Sequence, residues 1–355
     1  MAALIRVLVV DDSAFARKVL RETLSTHPRI QVVDIARDGL EALEKIAELK
    51  PDVVTLDLVM PHLDGIGVLQ ALQAAAASAP RVIVVSTSDA ESELGIKALE
   101  SGAVDLVHKP TALATDRLYD LAAELLRKVE AAATARPQPP LSILAKPPAP
   151  APARVLSGAT AGDRVLVIGT STGGPQALNR LLSALPGDFP LPVALVVHIP
   201  PGYTQALARR LDLVSALSVI EAWEGAELLP GQAIVARAGM HLRLERRGER
   251  AFARLDLQPA GTPHRPSVDV LFQSAAGEFG AGVLGVVLTG MGDDGLLGAR
   301  AIRDAGGKIL VESESSCVVY GMPRSVREAG LAEAEAPLDL MAAEILRRVG
   351  PARFS

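Results

Sequence analysis

Asp11 and Asp12, Asp57, Ser86 and Lys109 each stand at the end of a short apolar run: Leu4 to Val10, Val53 to Leu56, Val82 to Val85 and Ala103 to Val107. Clustered carboxylates repel one another unless a cation holds them. A hard octahedral ion such as Mg2+ takes one or two carboxylates together with phosphate oxygens and water. With such an ion present, Asp57 can attack a phosphoryl donor as a carboxylate nucleophile and become an aspartyl phosphate. The Lys109 ammonium would offset charge on the phosphoryl oxygens, and the Ser86 hydroxyl would donate a hydrogen bond to one of them. Taken alone, Asp11-Asp12-Ser13 reads more simply as the cap of a helix starting near Phe15. A cap leaves the other three run ends unexplained.

A second set lies further along. Val165 to Ile168 is followed by Gly169-Thr170-Ser171-Thr172-Gly173-Gly174-Pro175 and then by apolar residues at helical spacing through Leu178, Leu181, Leu182 and Leu185. Gly169-x-Ser171-x-Gly173 between a strand and a helix has the form of a nucleophile elbow, in which a tight turn exposes a serine hydroxyl near the helix N-terminus. The spacing is not that of a dinucleotide turn, and the next strand end carries His198 where a ribose-binding acid would be expected. A later apolar run, Val283 to Leu288, leads into Thr289-Gly290-Met291-Gly292-Asp293-Asp294-Gly295. Serine, histidine and carboxylate at three strand ends are the set needed for acyl transfer. Singly, His198 could be a structural histidine, and either aspartate could stabilise a turn. The remaining histidines (His27, His62, His108, His241, His264) lack metal-ligand spacing, which argues against a metallohydrolase, so ester hydrolysis should need no cofactor. Cys317 has no glycine elbow and reads as a small buried residue.

Strand-then-helix alternation positions these residues. It predicts an α/β protein with parallel sheets, whose ligands gather beyond the carboxyl ends of the strands. The chain has 355 residues, 49% of them apolar, enough for two cores. From Ala131 to Asp163 the composition turns to Ala and Pro, with seven prolines between Pro137 and Pro152, and prolines so crowded favour extended polyproline structure. The expected organisation is a first domain over 1–130, a linker over 131–162 in which Leu141 to Leu144 form a minor apolar blip, and a second domain over 163–350. Val219 to Leu257 alternates in polarity and reads as antiparallel strands. A formal net charge of -5 argues against a nucleic-acid partner. No apolar run is long enough to span a bilayer, a single cysteine excludes an internal disulfide framework, and the first apolar segment is too short for a signal-peptide core, so the cytoplasm is the expected location.

Val9-Val10-Asp11-Asp12-Ser13, Leu56 to Pro61 with Asp64-Gly65, and Lys109-Pro110 resemble the receiver domain of two-component response regulators. The resemblance implies a flavodoxin-like domain with a five-stranded parallel sheet. It also implies Mg2+ held by Asp11, Asp12, Asp57 and the backbone carbonyl of Val59, with Asp57 phosphorylated by a histidine kinase. Ser86 is preferred to Thr87 as the switch hydroxyl because it directly follows the apolar run.

Residues 169–174, Val197 to Gly202, His264 to Asp269, Leu288 to Gly295 and Val319 to Pro323 resemble the catalytic domain of the chemotaxis protein-glutamate methylesterases, the CheB family. The resemblance implies a second α/β domain with a mainly parallel sheet and an antiparallel segment. By position it makes Ser171 the nucleophile, His198 the general base, Asp294 the acid and Met291 an oxyanion-hole N–H, with Asp293 in a variable slot. The implied substrates are glutamyl methyl esters, and selected glutamines, on the cytoplasmic helices of methyl-accepting chemoreceptors. The implied kinase belongs to the same chemotaxis pathway, and the unphosphorylated receiver is expected to cover the cleft near Ser171. Arg265 is a candidate contact for substrate carbonyls or acidic groups. Two positions depart from the family pattern: Val59 replaces a common Glu, which bears on phosphoryl lifetime, and Tyr320 replaces the usual Trp in the pocket wall. The competing readings are a catalytically silent scaffold, which an intact triad disfavours, and a transcription factor, which the acidic balance disfavours.

Overall fold

The computed structural model describes residues 3–75, 79–86, 92–109, 115–136 and 164–349. Thr87, Pro110 and the linker from residue 137 to 163, including Leu141 to Leu144, lie outside the described residues. The chain divides into two compact units, residues 1–141 and 142–355.

The first unit alternates β1 (Ile5–Val10), α1 (Ala14–Ser25), β2 (Ile30–Ala36), α2 (Gly39–Leu49), β3 (Val53–Leu56), α3 (Gly65–Ala75), β4 (Arg81–Ser86), α4 (Ser92–Glu100), β5 (Asp105–His108) and α5 (Thr115–Thr134). The strands form one parallel sheet in the order β2-β1-β3-β4-β5. The runs Val7 to Val10 and Val82 to Val85 are almost wholly buried, as expected of strands covered on both faces. The strand order reverses between β1 and β3, so the crevice of this doubly wound sheet opens where those two strands end. Helix α1 is capped by Ser13, whose Oγ accepts from the Ala16 N–H at 3.3 Å. The capping reading of Asp11-Asp12-Ser13 therefore holds for the serine and leaves both aspartates available. Helix α5 continues to Thr134, past the boundary drawn at residue 130. Alanine is the strongest helix former, and Ala131, Ala132 and Ala135 are buried, so the start of the Ala-rich stretch belongs to this unit.

The second unit begins with β6 (Val165–Thr170), α6 (Gly174–Ser183), β7 (Val193–Val197), α7 (Tyr203–Val214), β8 (Ser218–Glu221), β9 (Gln232–Val235), β10 (His241–Arg247) and β11 (Arg250–Asp256). It ends with α8 (Val268–Phe279), β12 (Val283–Val287), α9 (Leu296–Asp304), β13 (Lys308–Glu312), α10 (Met322–Glu328), β14 (Ala334–Ala336) and α11 (Leu338–Val349). Seven strands form a parallel sheet in the order β14-β13-β12-β6-β7-β9-β8. Helices α6, α7 and α11 pack together, as do α8, α9 and α10. A core of Val165, Val167, Ala194, Leu271, Phe272 and Val283 continues into Leu242, Leu244, Ala251 and Ala253 of the β10–β11 hairpin.

The antiparallel reading of Val219 to Leu257 holds for β10 and β11 and for the bridge between Glu227 and Phe252; β8 and β9 run parallel within the main sheet. The connection between β8 and β9 lies along β11, with the Leu228 N–H donating to Ala251 O and the Ala253 N–H to Ala226 O. Alternating polarity marks a half-covered strand whichever way its neighbour runs, so period alone could not separate the two cases.

Candidate active site

In the first unit, β1 is followed by Asp11 and β3 by Asp57, both buried, while Asp12 is exposed. One carboxylate oxygen from each lies within 4.8 Å of those from the other two. The Lys109 ammonium bridges the buried pair, 2.9 Å from Asp11 Oδ2 and 2.8 Å from Asp57 Oδ2. Burial raises the pKa of both aspartates despite that ammonium, and each also feels a neighbouring carboxylate. One lysine under-compensates the cluster, and an oxygen-only donor set of this kind suits a hard divalent cation. Asp57 Oδ1 accepts the Leu58 N–H at 2.8 Å. Gly65 packs so closely that a Cβ there would meet Asp57 O at 2.5 Å, which accounts for glycine after Asp64. Ser86 is fully buried at the end of β4, whereas the Val59 side chain is about half exposed. A backbone ligand at Val59 would not depend on that side chain.

In the second unit, β12, β6 and β7 are adjacent, so their carboxyl ends bring the Thr289–Gly295 loop, the Ser171 turn and His198 together. The Ser171 N–H donates to Thr289 O at 3.0 Å, and the His198 N–H donates to Thr170 O at 3.2 Å. Gly173 caps α6 with φ 79°, a left-handed conformation suited to glycine. A Cβ on Gly290 would stand 2.8 Å from Ser171 Cβ, so only glycine lets the Met291 backbone come this close to the serine.

His198 and Asp294 are joined through Nε2 and Oδ2 at 2.8 Å. Burial alone would raise the Asp294 pKa, but the hydrogen bond and charge of His198 and the N–H groups of Asp269 and Val268 bring it down to about 2. The carboxylate is then an acceptor, so Nε2 donates to it, and in the neutral ring the lone pair stands on Nδ1. Nδ1 is buried with no partner among the described residues. Asp294 also accepts Ser267 Oγ–H at 2.9 Å, Asp269 N–H at 2.9 Å and Val268 N–H at 2.8 Å, all from the N-terminus of α8. Asp293 is exposed. Of the two aspartates, only Asp294 meets the histidine.

Several contributors escaped sequence reasoning. His264, which opens the His264 to Asp269 stretch but carries no assigned role there, stacks on His198 with ring centroids 4.0 Å apart and planes inclined by 13°. Asp269 Oδ1 accepts the N–H groups of Gly295 and Gly298 at 2.9 and 2.7 Å, and burial raises its pKa to about 6, aided by the Asp294 and Asp293 charges. Thr289 joins three segments: its carbonyl accepts Thr170 Oγ1–H at 2.7 Å, its hydroxyl donates to Thr172 O at 3.0 Å, and it accepts the Val319 N–H at 3.0 Å. The Thr289 N–H donates to the buried Glu312 carboxylate at 2.8 Å. Thr289 follows an apolar run, as the other site residues do, and that signal could have found it; nothing in the spacing marks His264 or Glu312. Arg265, next to His264, donates through Nη2 to Ala260 O at 3.2 Å, while its Nε is buried with no partner among the described residues. Tyr320 bonds Glu335 at 3.4 Å and Gly290 pairs with its backbone, so the residue braces the Met291 loop.

Two family models match the chain: CheB methylesterase over residues 166–345 and response regulator receiver domain over residues 7–121. The chain is 62% identical to protein-glutamate methylesterase/protein-glutamine glutaminase 5 of Myxococcus xanthus, over 97% of its own length and 98% of that protein's. A protein of the same activity name from Symbiobacterium thermophilum is 45% identical, with coverage of 98% and 97%. The crystal structure of the Thermotoga maritima CheB methylesterase catalytic domain aligns with a TM-score of 0.51 at 39% identity, covering 52% of this chain and 98% of that one. Among the described residues, no helix is long and apolar enough to cross a membrane.

Proposed function

Because this chain belongs to the CheB methylesterase family and carries a response-regulator receiver domain ahead of the catalytic one, we propose that it is a phosphorylation-controlled serine esterase of a chemosensory pathway. It hydrolyses glutamyl methyl esters on the cytoplasmic helices of chemoreceptors to glutamate and methanol, and selected glutamines to glutamate and ammonia. It works in the cytoplasm, and a chemotaxis histidine kinase serves its receiver. The observation that carries the esterase reading is the His198–Asp294 pair at 2.8 Å, which leaves a buried imidazole nitrogen, without a partner among the described residues, at the end of the strand next to the Ser171 turn.

The reaction follows from these residues. Ser171 Oγ attacks the ester carbonyl while His198 Nδ1 takes its proton, and Asp294 stabilises the imidazolium that forms. The Met291 N–H faces the developing oxyanion. Collapse returns the proton from His198 to the departing methoxy oxygen, releasing methanol and leaving an acyl-serine. Water, deprotonated by the same nitrogen, then frees glutamate and restores Ser171. With glutamine the departing group is ammonia, and the steps are otherwise the same. Arg265, two residues before the Ser267 that donates to Asp294, is the proposed contact for substrate carbonyls or acidic groups.

In the receiver, Asp11, Asp12, Asp57 and the Val59 carbonyl would hold Mg2+, which when bound offsets charge between carboxylate and phosphoryl oxygens. Asp57 is the phosphate acceptor, Lys109 pairs with the new phosphoryl group, and the Ser86 hydroxyl turns toward it. Mass spectrometry of methylated receptor membranes treated with the protein and a phosphodonor tests the substrate. Conversion of glutamyl methyl esters to glutamate is expected. Receptor peptides left unchanged by a folded, phosphorylated protein would refute the reading.

A further inference from the structure

We infer that His264 is a positioning residue for the general base, fixing the plane of the His198 ring through stacking. The inference rests on the esterase reading above. The hydrogen bond from Nε2 to Asp294 holds only the far edge of the imidazole. The torsion that turns an imidazole about its Cβ–Cγ bond has a broad, shallow profile, so a single tether leaves the direction of Nδ1 loosely defined. The lone pair on that atom must point at the serine hydroxyl for proton transfer, and a poorly aimed base loses rate steeply.

His264 supplies the missing constraint. Its ring lies nearly parallel to that of His198, 13° between planes and 4.0 Å between centroids, which blocks rotation out of plane on one side. The residues that directly follow it are held in place. The His241 Nδ1 accepts the Ser267 N–H at 3.2 Å, the Gly239 N–H donates to Arg265 O at 3.0 Å, and Ser267 Oγ donates to Asp294. The same few residues before α8 therefore tether the carboxylate that grips one edge of His198 and present the ring that covers its face. The stacked contact is itself favourable and so holds the His198 ring in this plane. Both effects act through the face of the ring and not through its nitrogens, so another flat ring should replace it.

The test uses the full-length protein treated with acetyl phosphate and assayed on methylated receptor membranes. His264→Ala should lower kcat about tenfold or more, the loss expected for one misaimed or unsupported base, with KM within about twofold. His264→Phe should restore kcat to within about threefold of the parent, and His264→Leu, of similar bulk but without a flat face, should not. The Phe and Leu pair keeps the comparison valid if the alanine variant fails to fold. Equal kcat for all three variants overturns the inference, as does a change confined to KM, which would mark His264 as a substrate contact. A parent protein without esterase activity would instead overturn the functional reading itself.

Discussion

Asp294→Asn removes one negative charge and one acceptor from a carboxylate that accepts four hydrogen bonds. Four donors converge on the carboxylate: Ser267 Oγ–H and Asp269 N–H on Oδ1, Val268 N–H and His198 Nε2–H on Oδ2. An asparagine amide offers one oxygen and one NH2, so in either orientation two donors face a donor. With the NH2 toward His198, Nε2 must become the acceptor and the ring proton moves to Nδ1, the atom required to accept the Ser171 proton. Loss of the base tautomer in a Ser-His-Asp site costs about 10^4 in kcat, roughly 5.5 kcal/mol of barrier. Hydrogen bonds to a charged acceptor contribute about 1.5–3 kcal/mol each; with two disrupted and partial relaxation, a loss of roughly 3 kcal/mol is expected. For a domain of this size that lowers Tm by about 6–12 °C. In the parent, the depressed Asp294 pKa means this stabilisation is present above the ordinary carboxylate value of 3.8 and is lost as pH falls toward about 2. Methanol release and thermal unfolding by circular dichroism measure the two effects, with Asp293→Asn as the comparison. Asp293 is exposed, so its variant should stay within about twofold of the parent, as surface substitutions usually do. Asp294→Asn retaining more than a tenth of parent activity, or Asp293→Asn proving as damaging, would refute the reasoning.

Asp57→Asn should abolish Mg2+-dependent labelling by acetyl phosphate while leaving a low basal esterase rate; label persisting on another residue would reject Asp57 as acceptor. Asp269 has the opposite sign to Asp294: its folded pKa, about 6, lies above the ordinary 3.8, so its ionisation penalises the fold increasingly as pH rises between those values. Asp269→Asn keeps an acceptor for Gly295 and Gly298, so its Tm relative to the parent should rise across that window and level off above it; a difference independent of pH would contradict this. A fragment beginning at Ala153, containing a complete second core, should demethylate receptors faster than the unphosphorylated full chain and ignore phosphodonor. A well-folded fragment slower than the full chain would discard inhibition by the receiver.

Strand ends were readable because parallel strands bury both faces, so unbroken apolar runs stood out and the polar residue after each run marked the crevice. By the same rule the sequence alone marks Asp11, Asp57, Lys109, Ser171 and His198. The rule stops where position depends on irregular backbone. Asp293 and Asp294 are equivalent by composition, and only the path of the loop after β12 turns one toward His198. The segment from Leu257 to Ser267 carries no period, so the stacking of His264 and the capping donors of α8 had no signature. The parallel course of β8 and β9 was hidden because polarity reports burial, not pairing. Composition alone assigns the alanines after residue 130 to the linker, whereas their helix propensity and burial carry α5 to Thr134.

The central claim is that phosphate at Asp57 controls ester hydrolysis at Ser171. Methanol release from methylated receptor membranes by the full-length protein, with and without acetyl phosphate, tests it most directly when Ser171→Ala is run in parallel. The parent should accelerate by up to about a hundredfold, a shift of roughly 2.7 kcal/mol in a closed-to-open equilibrium. Ser171→Ala should release no methanol under either condition while still taking label at Asp57. A phosphodonor without effect on the parent, or methanol released by Ser171→Ala at the parent rate, would contradict the claim.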